Sequence, residues 1–318
     1  MGDKQLRGHE AGVAPSPSAG TTAEWLKEGG AYLPPSLRGL RPAFLVLPEG
    51  REDRPSGREP AASGPSLLRS EEWLKSAGPL YEAWLASEGN LEAEQALRRI
   101  CYRLRDEAAA QLTEGGGAWI TAALPVLPEL SARPDLLAAL QDAVLEALFR
   151  ALGERQRGGG DARLDLLASY PASAWEFAAA REFIESVAEQ LLGHRYAAAC
   201  RIGALIAPDI SPAAALEIGR TADFLVIDGA AAGAAPLDAA GFVHAAEGIA
   251  AAVRRVKPAA AVFAAGAPAA EALADLYRIG LNGIFCAPAQ RTEALLRAAC
   301  LVWMDRHESG GGAPAAEL

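Results

Sequence analysis

The chain has 318 residues, a formal net charge of −10 and an isoelectric point near 5.1. Because nucleic-acid binding depends on clustered Lys and Arg, this acidic balance argues against a nucleic-acid partner. Every apolar stretch is far shorter than the roughly 20 residues of a membrane helix, and no signal segment is recognised at the start, so we expect a cytoplasmic protein without a membrane partner.

Three segments rich in Gly, Pro, Ser and charged residues lack an apolar period. We expect residues 1–20 and the tail 306–318 to be disordered, because neither segment can bury enough apolar surface to order itself. Residues 21–305 then form one folded domain. Within it, the stretch Glu49–Gly64 predicts a long loop, and we favour an insertion over a mobile lid.

Short apolar runs alternate with helical patterns along the folded part, which indicates strands that pair in parallel and are covered by helices. No G-x-G-x-x-G turn follows a strand, so a dinucleotide-binding sheet is disfavoured. We therefore predict a TIM-type (β/α)8 barrel of the α/β class. Seven strands are identified: Ala43–Leu47, Ala118–Leu124, Arg163–Ala168, Arg201–Ile206, Phe224–Ile227, Ala260–Ala264 and Gly283–Cys286.

Three helices carry clear sequence signals. Ser173 and Glu176 form a capping box that predicts the start of a helix. Apolar residues at helical spacing predict two more, over Leu237–Val256 and Gln290–Val302. The cysteines have no C-x-x-C pairing, which is typical of neither a zinc site nor a disulfide framework, so buried thiols are expected at Cys101, Cys200, Cys286 and Cys300.

Two motifs carry a resemblance to a known family. Ile202–Ala207, followed sixteen residues later by Asp223–Asp228, resembles the central strand motifs of the phosphoenolpyruvate-utilising enzymes, in their C-terminal substrate-binding barrel. Gly39–Leu45 is similar to another strand of that barrel, and the resemblance extends over residues 36–301. The family's first strand is not evident, which implies that the first strand of this barrel is missing or atypical.

The resemblance implies magnesium and phosphoenolpyruvate at the carboxyl rim, with a Cys that transfers a proton. At the matching positions this chain has Ala207 and Ala231 in place of the metal ligands and Ala265 in place of the Cys, whereas Arg41 matches a family Arg. An Ala methyl offers magnesium no oxygen ligand. The resemblance therefore implies a degenerate member without catalysis or cofactor, with a ligand-sensing or regulatory role, and a homodimer.

Two alternatives stay open. In the first, the metal site has moved to Asp209 and Asp228, with Arg41 binding an anion, in a magnesium-dependent phosphotransferase or lyase that acts on phosphoenolpyruvate or pyruvate. Against it, Asp209 could cap the helix near Ser211, Asp228 could shape a turn with the next Gly, and Arg41 could form an ion pair. In the second, the barrel is a structural module that binds a protein partner and exposes an apolar patch on a helix. Weaker rim candidates are Glu49, Ser169 and Tyr170.

Overall fold

The computed structural model of the protein describes residues 44–50, 65–87, 91–114, 118–231 and 237–310. Arg41, the N-terminal segment 1–20 and most of the predicted loop Glu49–Gly64 lie outside these ranges. Within them, no helix is both long and apolar enough to cross a membrane.

Eight parallel strands form one sheet that curves into a nearly closed α/β barrel of the TIM type. The order around the sheet is β1-β8-β7-β6-β5-β4-β3-β2. Strands that are consecutive in the chain are therefore neighbours in the sheet, except β1 and β2, which lie at the two ends of this order. The strands are β1 Leu45–Pro48, β2 Ser66–Arg69, β3 Ala118–Ala123, β4 Ala162–Ser169, β5 Cys200–Ile206, β6 Phe224–Asp228, β7 Ala261–Ala265 and β8 Gly283–Cys286.

The described helices connect consecutive strands and follow β8. They are α1 Ser70–Ser76, α2 Gly78–Ala86, α3 Leu91–Glu114, α4 Pro134–Arg157, α5 Ala174–Leu192, α6 Pro212–Thr221, α7 Ala239–Val256, α8 Ala267–Glu271, α9 Leu273–Arg278 and α10 Pro288–Gly310, with 3-10 turns at Pro128–Leu130 and Gly193–Ala198. This alternation of strand and helix confirms the predicted fold class.

The barrel has a seam between β1 and β2. These two strands share only an isolated parallel bridge between Glu49 and Leu67, with the Gly50 N–H donating to the Leu67 carbonyl at 2.8 Å. The other neighbouring strands are joined by regular ladders, for example β3 to β4 over six residue pairs. Closure at this seam therefore depends on side chains more than on backbone hydrogen bonds.

All seven predicted strands are present within two residues of their predicted ends. The first strand is atypical in its pairing, since β1 forms a regular ladder with β8 but only an isolated bridge with β2. The strand that sequence patterns did not reveal is the second, Ser66–Arg69. That strand has only two central apolar residues, Leu67 and Leu68, and it follows directly after the polar stretch assigned to a loop. A pattern this short lies at the lower limit of strand length.

Two apolar cores follow from the alternation of side chains along buried strands. The larger core packs the outward faces of the strands against the helices, with Ile202, Ala204 and Ile206 of β5 among its members. The smaller core fills the barrel itself and contains Leu167, Leu205, Val226, Phe263 and Phe285. Ala and Leu dominate the larger core, whereas the smaller core also contains three Phe side chains, Phe224, Phe263 and Phe285.

Helix starts agree with the local sequence signals. Ser173 accepts a hydrogen bond from the Glu176 N–H at 3.2 Å, and Glu176 accepts one from the Ala172 N–H at 2.8 Å, so the predicted capping box is present in essence. Asp238 caps α7 through the Gly241 N–H. The last helix, α10, continues past the predicted end at Val302 to Gly310, into the stretch expected to be disordered.

Three of the four cysteines are buried, as expected. Burial raises the pKa of the Cys101 and Cys286 thiols to about 11, which keeps them protonated and unreactive near neutral pH. The fourth thiol, Cys300 on α10, is exposed, which corrects the prediction of four buried cysteines.

Candidate functional site

A polar cluster lies at the carboxyl end of the barrel, where active sites of this fold are found. We define the rim cluster as four side chains: Glu49 directly after β1, Arg69 at the end of β2, Tyr170 directly after β4, and Asp228 at the end of β6. Because the strands are parallel, residues far apart in sequence meet at the same end of the barrel.

The guanidinium of Arg69 is the centre of the rim cluster. Its Nη1 donates to Asp228 Oδ2 at 2.7 Å and its Nη2 donates to Asp228 Oδ1 at 2.9 Å, a bidentate pair. The same Nη2 also donates to Glu49 Oε1 at 2.7 Å, and Nε donates to that oxygen at 3.0 Å. One guanidinium therefore binds two carboxylates in the planar geometry that Arg favours.

Asp228 is fully buried, with 0% of its side chain exposed, yet each of its oxygens is bound. Besides Arg69, it accepts a hydrogen bond from the Tyr170 hydroxyl at 2.5 Å and one from the Ala230 N–H at 2.9 Å. Burial would raise the pKa of Asp228, but the hydrogen bonds and charge of Arg69 outweigh it and lower the pKa below its usual value. The carboxylate is therefore ionised at neutral pH.

Burial opposes the charge of Arg69, whereas the hydrogen bonds and charges of Asp228 and Glu49 raise its pKa above the ordinary value. Arg69 is charged throughout the accessible pH range in any case. The rim cluster thus contains two carboxylates and one guanidinium, which gives it a formal charge of −1. This charge disfavours the binding of an anion from solution unless one of the two carboxylates is displaced from Arg69.

Glu49 connects the two sides of the seam. Its Oε1 binds Arg69 of β2, and its Oε2 accepts a hydrogen bond from the Gly266 N–H, just after β7, at 3.0 Å. Gly266 has a φ of 88°, a conformation that favours glycine, and this directs its N–H toward the carboxylate. The side chain of Glu49 therefore ties β1 to both β2 and β7.

Tyr170 has a φ of 53°, which is uncommon for a residue with a side chain. The hydroxyl lies against Asp228 and within 3.4 Å of Arg69 Nη1. Burial and the charge of Asp228 raise the pKa of Tyr170 above its ordinary value, so the phenol stays protonated and acts as a donor. Backbone strain of this kind persists where the surroundings fix the residue, and it is often found at functional sites.

Neighbouring loops are held by further hydrogen bonds. The Ser70 hydroxyl donates to the Ala123 carbonyl at 2.5 Å, and the Ser169 hydroxyl donates to the Leu124 carbonyl at 2.6 Å. Glu71 accepts the Val126 N–H at 2.8 Å. These contacts join the ends of β2, β3 and β4. The backbone next to Arg69 and Tyr170 is therefore held in place by Ser70 and Ser169.

The structure separates the two aspartates of the relocated metal site proposed from sequence. Asp228 belongs to the rim cluster, whereas Asp209 is exposed and forms no hydrogen bond or ion pair with another described residue. Asp209 does not cap α6 either, since the Ser211 hydroxyl accepts the Ala214 N–H at 3.2 Å. The alternative interpretation, in which Asp228 shapes a turn with the next Gly, agrees with the hydrogen bond that Asp228 accepts from the Ala230 N–H.

Of the weaker rim candidates, Glu49 and Tyr170 lie in the cluster, and Ser169 supports the loop beside it. Sequence reasoning missed Arg69, the residue that holds the cluster together. One sequence signal could have revealed it: Arg69 directly follows the short apolar run Leu67–Leu68. If that run is read as a strand, Arg69 lies at its carboxyl end, where site residues of a barrel are found.

The three alanines that the resemblance assigns to chemistry lie at this same end of the barrel. Ala207 directly follows β5, Ala231 lies three residues after the end of β6, and Ala265 ends β7 and is fully buried. Among the residues that the structure describes, no group of three or more His, Cys, Asp or Glu side chains could hold a metal ion. Both carboxylates of the rim cluster, Glu49 and Asp228, are bound to the guanidinium of Arg69.

No protein-family model matches the chain, and no curated protein is similar to it in sequence. The fold and the site together define an α/β barrel whose carboxyl rim is held by an internal ion-pair network.

Proposed function

We propose that this protein is a non-catalytic barrel of the phosphoenolpyruvate-utilising type that senses a small anionic ligand at its carboxyl rim. The observation that carries the proposal is the guanidinium of Arg69, which is bound by Glu49 and Asp228 where a metal-dependent enzyme would hold a cation between acidic side chains. The carboxylates of Glu49 and Asp228, whose charge would be needed for metal binding and phosphoryl transfer, are instead paired with Arg69 within the protein.

The resemblance adds to this argument. Positions 207, 231 and 265, which would supply the metal ligands and the proton-transferring Cys, all carry alanine. Loss of a single charge-stabilising group typically reduces a rate by roughly two to three orders of magnitude, and several such groups are replaced at once. Catalytic turnover is therefore not expected.

The ligand enters by exchange with Glu49. Arg69 is 19% exposed and Glu49 is 16% exposed, whereas Asp228 is inaccessible, so a carboxylate from solution competes for the guanidinium with Glu49. Release of Glu49 also breaks its bond to the Gly266 N–H and weakens the connection of β1 to β2. Ligand binding is thus coupled to the seam, which is the output of the proposed sensor.

The test is thermal unfolding with oxalate or phosphoenolpyruvate, each with and without magnesium. A ligand at about a hundred times its dissociation constant adds roughly 2.7 kcal/mol of stability. We expect oxalate at millimolar concentration to raise the melting temperature equally with and without magnesium, and the Arg69→Met variant to lose this response. Assays for pyruvate formation from phosphoenolpyruvate should remain at background under both conditions.

Two other outcomes would refute the sensor. A shift that requires magnesium and is lost in Asp228→Ala, but not in the matched exposed variant Asp209→Ala, would revive the metal-dependent enzyme. No shift with either anion would remove small-anion sensing and leave the barrel as a protein-interaction module.

One observation favours that second candidate. Leu296, Trp303 and Met304 of α10 are 65%, 54% and 44% exposed, and with exposed Cys300 they follow helical spacing along one stripe. Exposed apolar patches on helices mark interaction sites. If α10 binds a protein, which could be a second copy of this chain, the Trp303→Glu variant should lose the complex in sedimentation analysis. The control is Trp175→Glu, the same substitution at an exposed Trp of α5, which should retain the complex.

A further inference from the structure

The exposed face of α10 has a stripe of side chains whose chemistry is symmetric about its centre. We define the α10 stripe as Glu293, Leu296, Cys300, Met304 and His307, which follow one another at spacings of three, four, four and three residues. At 3.6 residues per turn, these positions fall within an arc of about 80° and along about 21 Å of helix. Cys300 is at the centre, with an apolar residue one turn away and a polar residue two turns away on each side.

All members of the α10 stripe are exposed. The side chain of Glu293 is 79% exposed, and Leu296 and Met304 are 65% and 44% exposed. A different face of the same helix packs on the barrel, through the buried Ala294 and Ala298. The α10 stripe therefore lies outside the core of the described residues, and apolar side chains exposed in such a pattern indicate a binding partner.

A stripe with this symmetry is complementary to a second copy of itself. When two identical helices pair antiparallel across a twofold axis, residue i of one helix contacts residue j of the other, and j contacts i. With the axis at Cys300, Leu296 lies opposite the partner's Met304, and Glu293 lies opposite the partner's His307. The pairing therefore joins apolar to apolar and carboxylate to imidazole, and each contact occurs twice.

The charged groups favour the antiparallel arrangement over a parallel one, in which Glu293 would face Glu293 of the partner subunit. The Nδ1 of His307 donates to the Trp303 carbonyl at 2.9 Å, so a proton on Nε2 gives the cationic imidazole that pairs with a carboxylate. Glu293 lies 4.0 Å from Arg297 of its own helix, at the limit of an ion pair, and its carboxylate can bind a partner. The net charge of −10 opposes self-association, and this local pairing of opposite charges offsets part of that repulsion.

We propose that the α10 stripe binds the α10 stripe of a second copy of this chain, as an antiparallel helix pair centred on Cys300. The pair buries Leu296 and Met304 of both copies and places the two Cys300 thiols next to each other. One helix pair of this length is smaller than a standard protein interface of about 1,600 Å², so the dimer is weak and its population depends on concentration. The inference rests on the interaction candidate for α10 and not on the rim cluster, so dimerisation and anion binding fail separately.

Sedimentation velocity of the full chain at mildly acidic pH, over a series of concentrations, tests the pairing of charges. Wild type should change from monomer to dimer as the concentration rises. His307→Glu places a carboxylate opposite Glu293 at both symmetric contacts and should raise the dissociation constant at least about tenfold. Adding Glu293→Lys to His307→Glu restores opposite charges and should return the constant to within about threefold of wild type. The matched control is His194→Glu, at a His whose side chain is 95% exposed on the turn Gly193–Ala198, and it should dimerise as wild type does.

Crosslinking with a short bismaleimide tests the centre of the pair. Because Cys101, Cys200 and Cys286 are buried, a covalent dimer of wild type should form through Cys300, and Cys300→Ser should sediment as a dimer without forming the crosslink. The crosslink should also be lost in His307→Glu and return in the double variant. Wild type that stays monomeric up to millimolar concentration, or that dimerises without the crosslink, would overturn the proposal. A double variant that dimerises no better than His307→Glu alone would overturn it as well, because the two residues would then not face each other.

Discussion

The guanidinium of Arg69 spans the mouth of the barrel to bind both carboxylate oxygens of Asp228. Arg69 ends β2 and Asp228 ends β6, and these strands are four places apart in a ring of eight, which puts them on opposite sides. The pair therefore connects the two halves of the sheet at the end where the seam is bridged. Its partner Glu49 extends the connection to β1, so the same network that occupies the rim also holds the barrel together.

Removal of the guanidinium should be strongly destabilising. Arg69→Met leaves the carboxylate of Asp228 buried without a counter-ion, which typically costs about 3–5 kcal/mol. The matched control is Arg220→Met, whose ion pair with Glu217 is more than half exposed and should contribute less than about 1 kcal/mol. Urea unfolding of both variants measures the difference. Similar, small losses in the two variants would show that the rim pair adds nothing beyond a surface pair.

Acid should weaken the protein through Asp228. The folded state lowers the pKa of this carboxyl below the unfolded value of about 3.9, so in acid the unfolded chain binds the extra proton. The contribution of Asp228 to stability is complete above about pH 4 and is lost as the pH falls through the folded pKa.

The free energy of unfolding of wild type minus that of Asp228→Asn should therefore shrink as the pH is lowered below about 4. Asp209→Asn, at an exposed carboxylate, is the control and should follow wild type over the same range. A difference between wild type and Asp228→Asn that stays constant from pH 7 to pH 2.5 would argue against an ionised, paired Asp228.

The seam should loosen when Glu49 is shortened. Glu49→Ala removes the acceptor of the Gly266 N–H and the second carboxylate of Arg69, so amide hydrogen exchange at Gly266 should become faster. The Gly229 N–H, which donates to the Ala265 carbonyl at 3.0 Å, does not depend on Glu49 and serves as an internal reference. Equal protection of both amides in wild type and variant would show that Glu49 plays no part in closure.

Much of the barrel can be predicted from sequence because most of its strands are continuous apolar runs. Phe224–Asp228 and Gly283–Cys286 are buried along their whole length, and runs of this kind are typical of parallel strands. Ser66–Arg69 is different, since only two of its four residues are fully buried and no period can be recognised in so short a segment. Its identity as a strand depends on the neighbouring β3, which is tertiary information.

The site was harder to predict for the same reason. Asp228 stood out because it ends an apolar run, but its partner could not be paired with it without knowing that β2 exists. Asp209 had the same sequence signal as Asp228, a carboxylate just after a strand, yet it is exposed beyond the rim. Position relative to a strand end thus locates candidate residues, whereas the direction of the side chain depends on the exact register of the barrel.

The central claim is that Arg69 serves as the cation of the rim cluster. The most direct test is a titration of wild type with Mn²⁺, in which electron paramagnetic resonance measures the concentration of the free ion. With Arg69 bound between Glu49 and Asp228, we predict that millimolar Mn²⁺ stays free and that the signal equals that of buffer. A loss of free Mn²⁺ in wild type that is abolished by Asp228→Asn and retained in Asp209→Asn would contradict the account, and would assign a metal site to the rim.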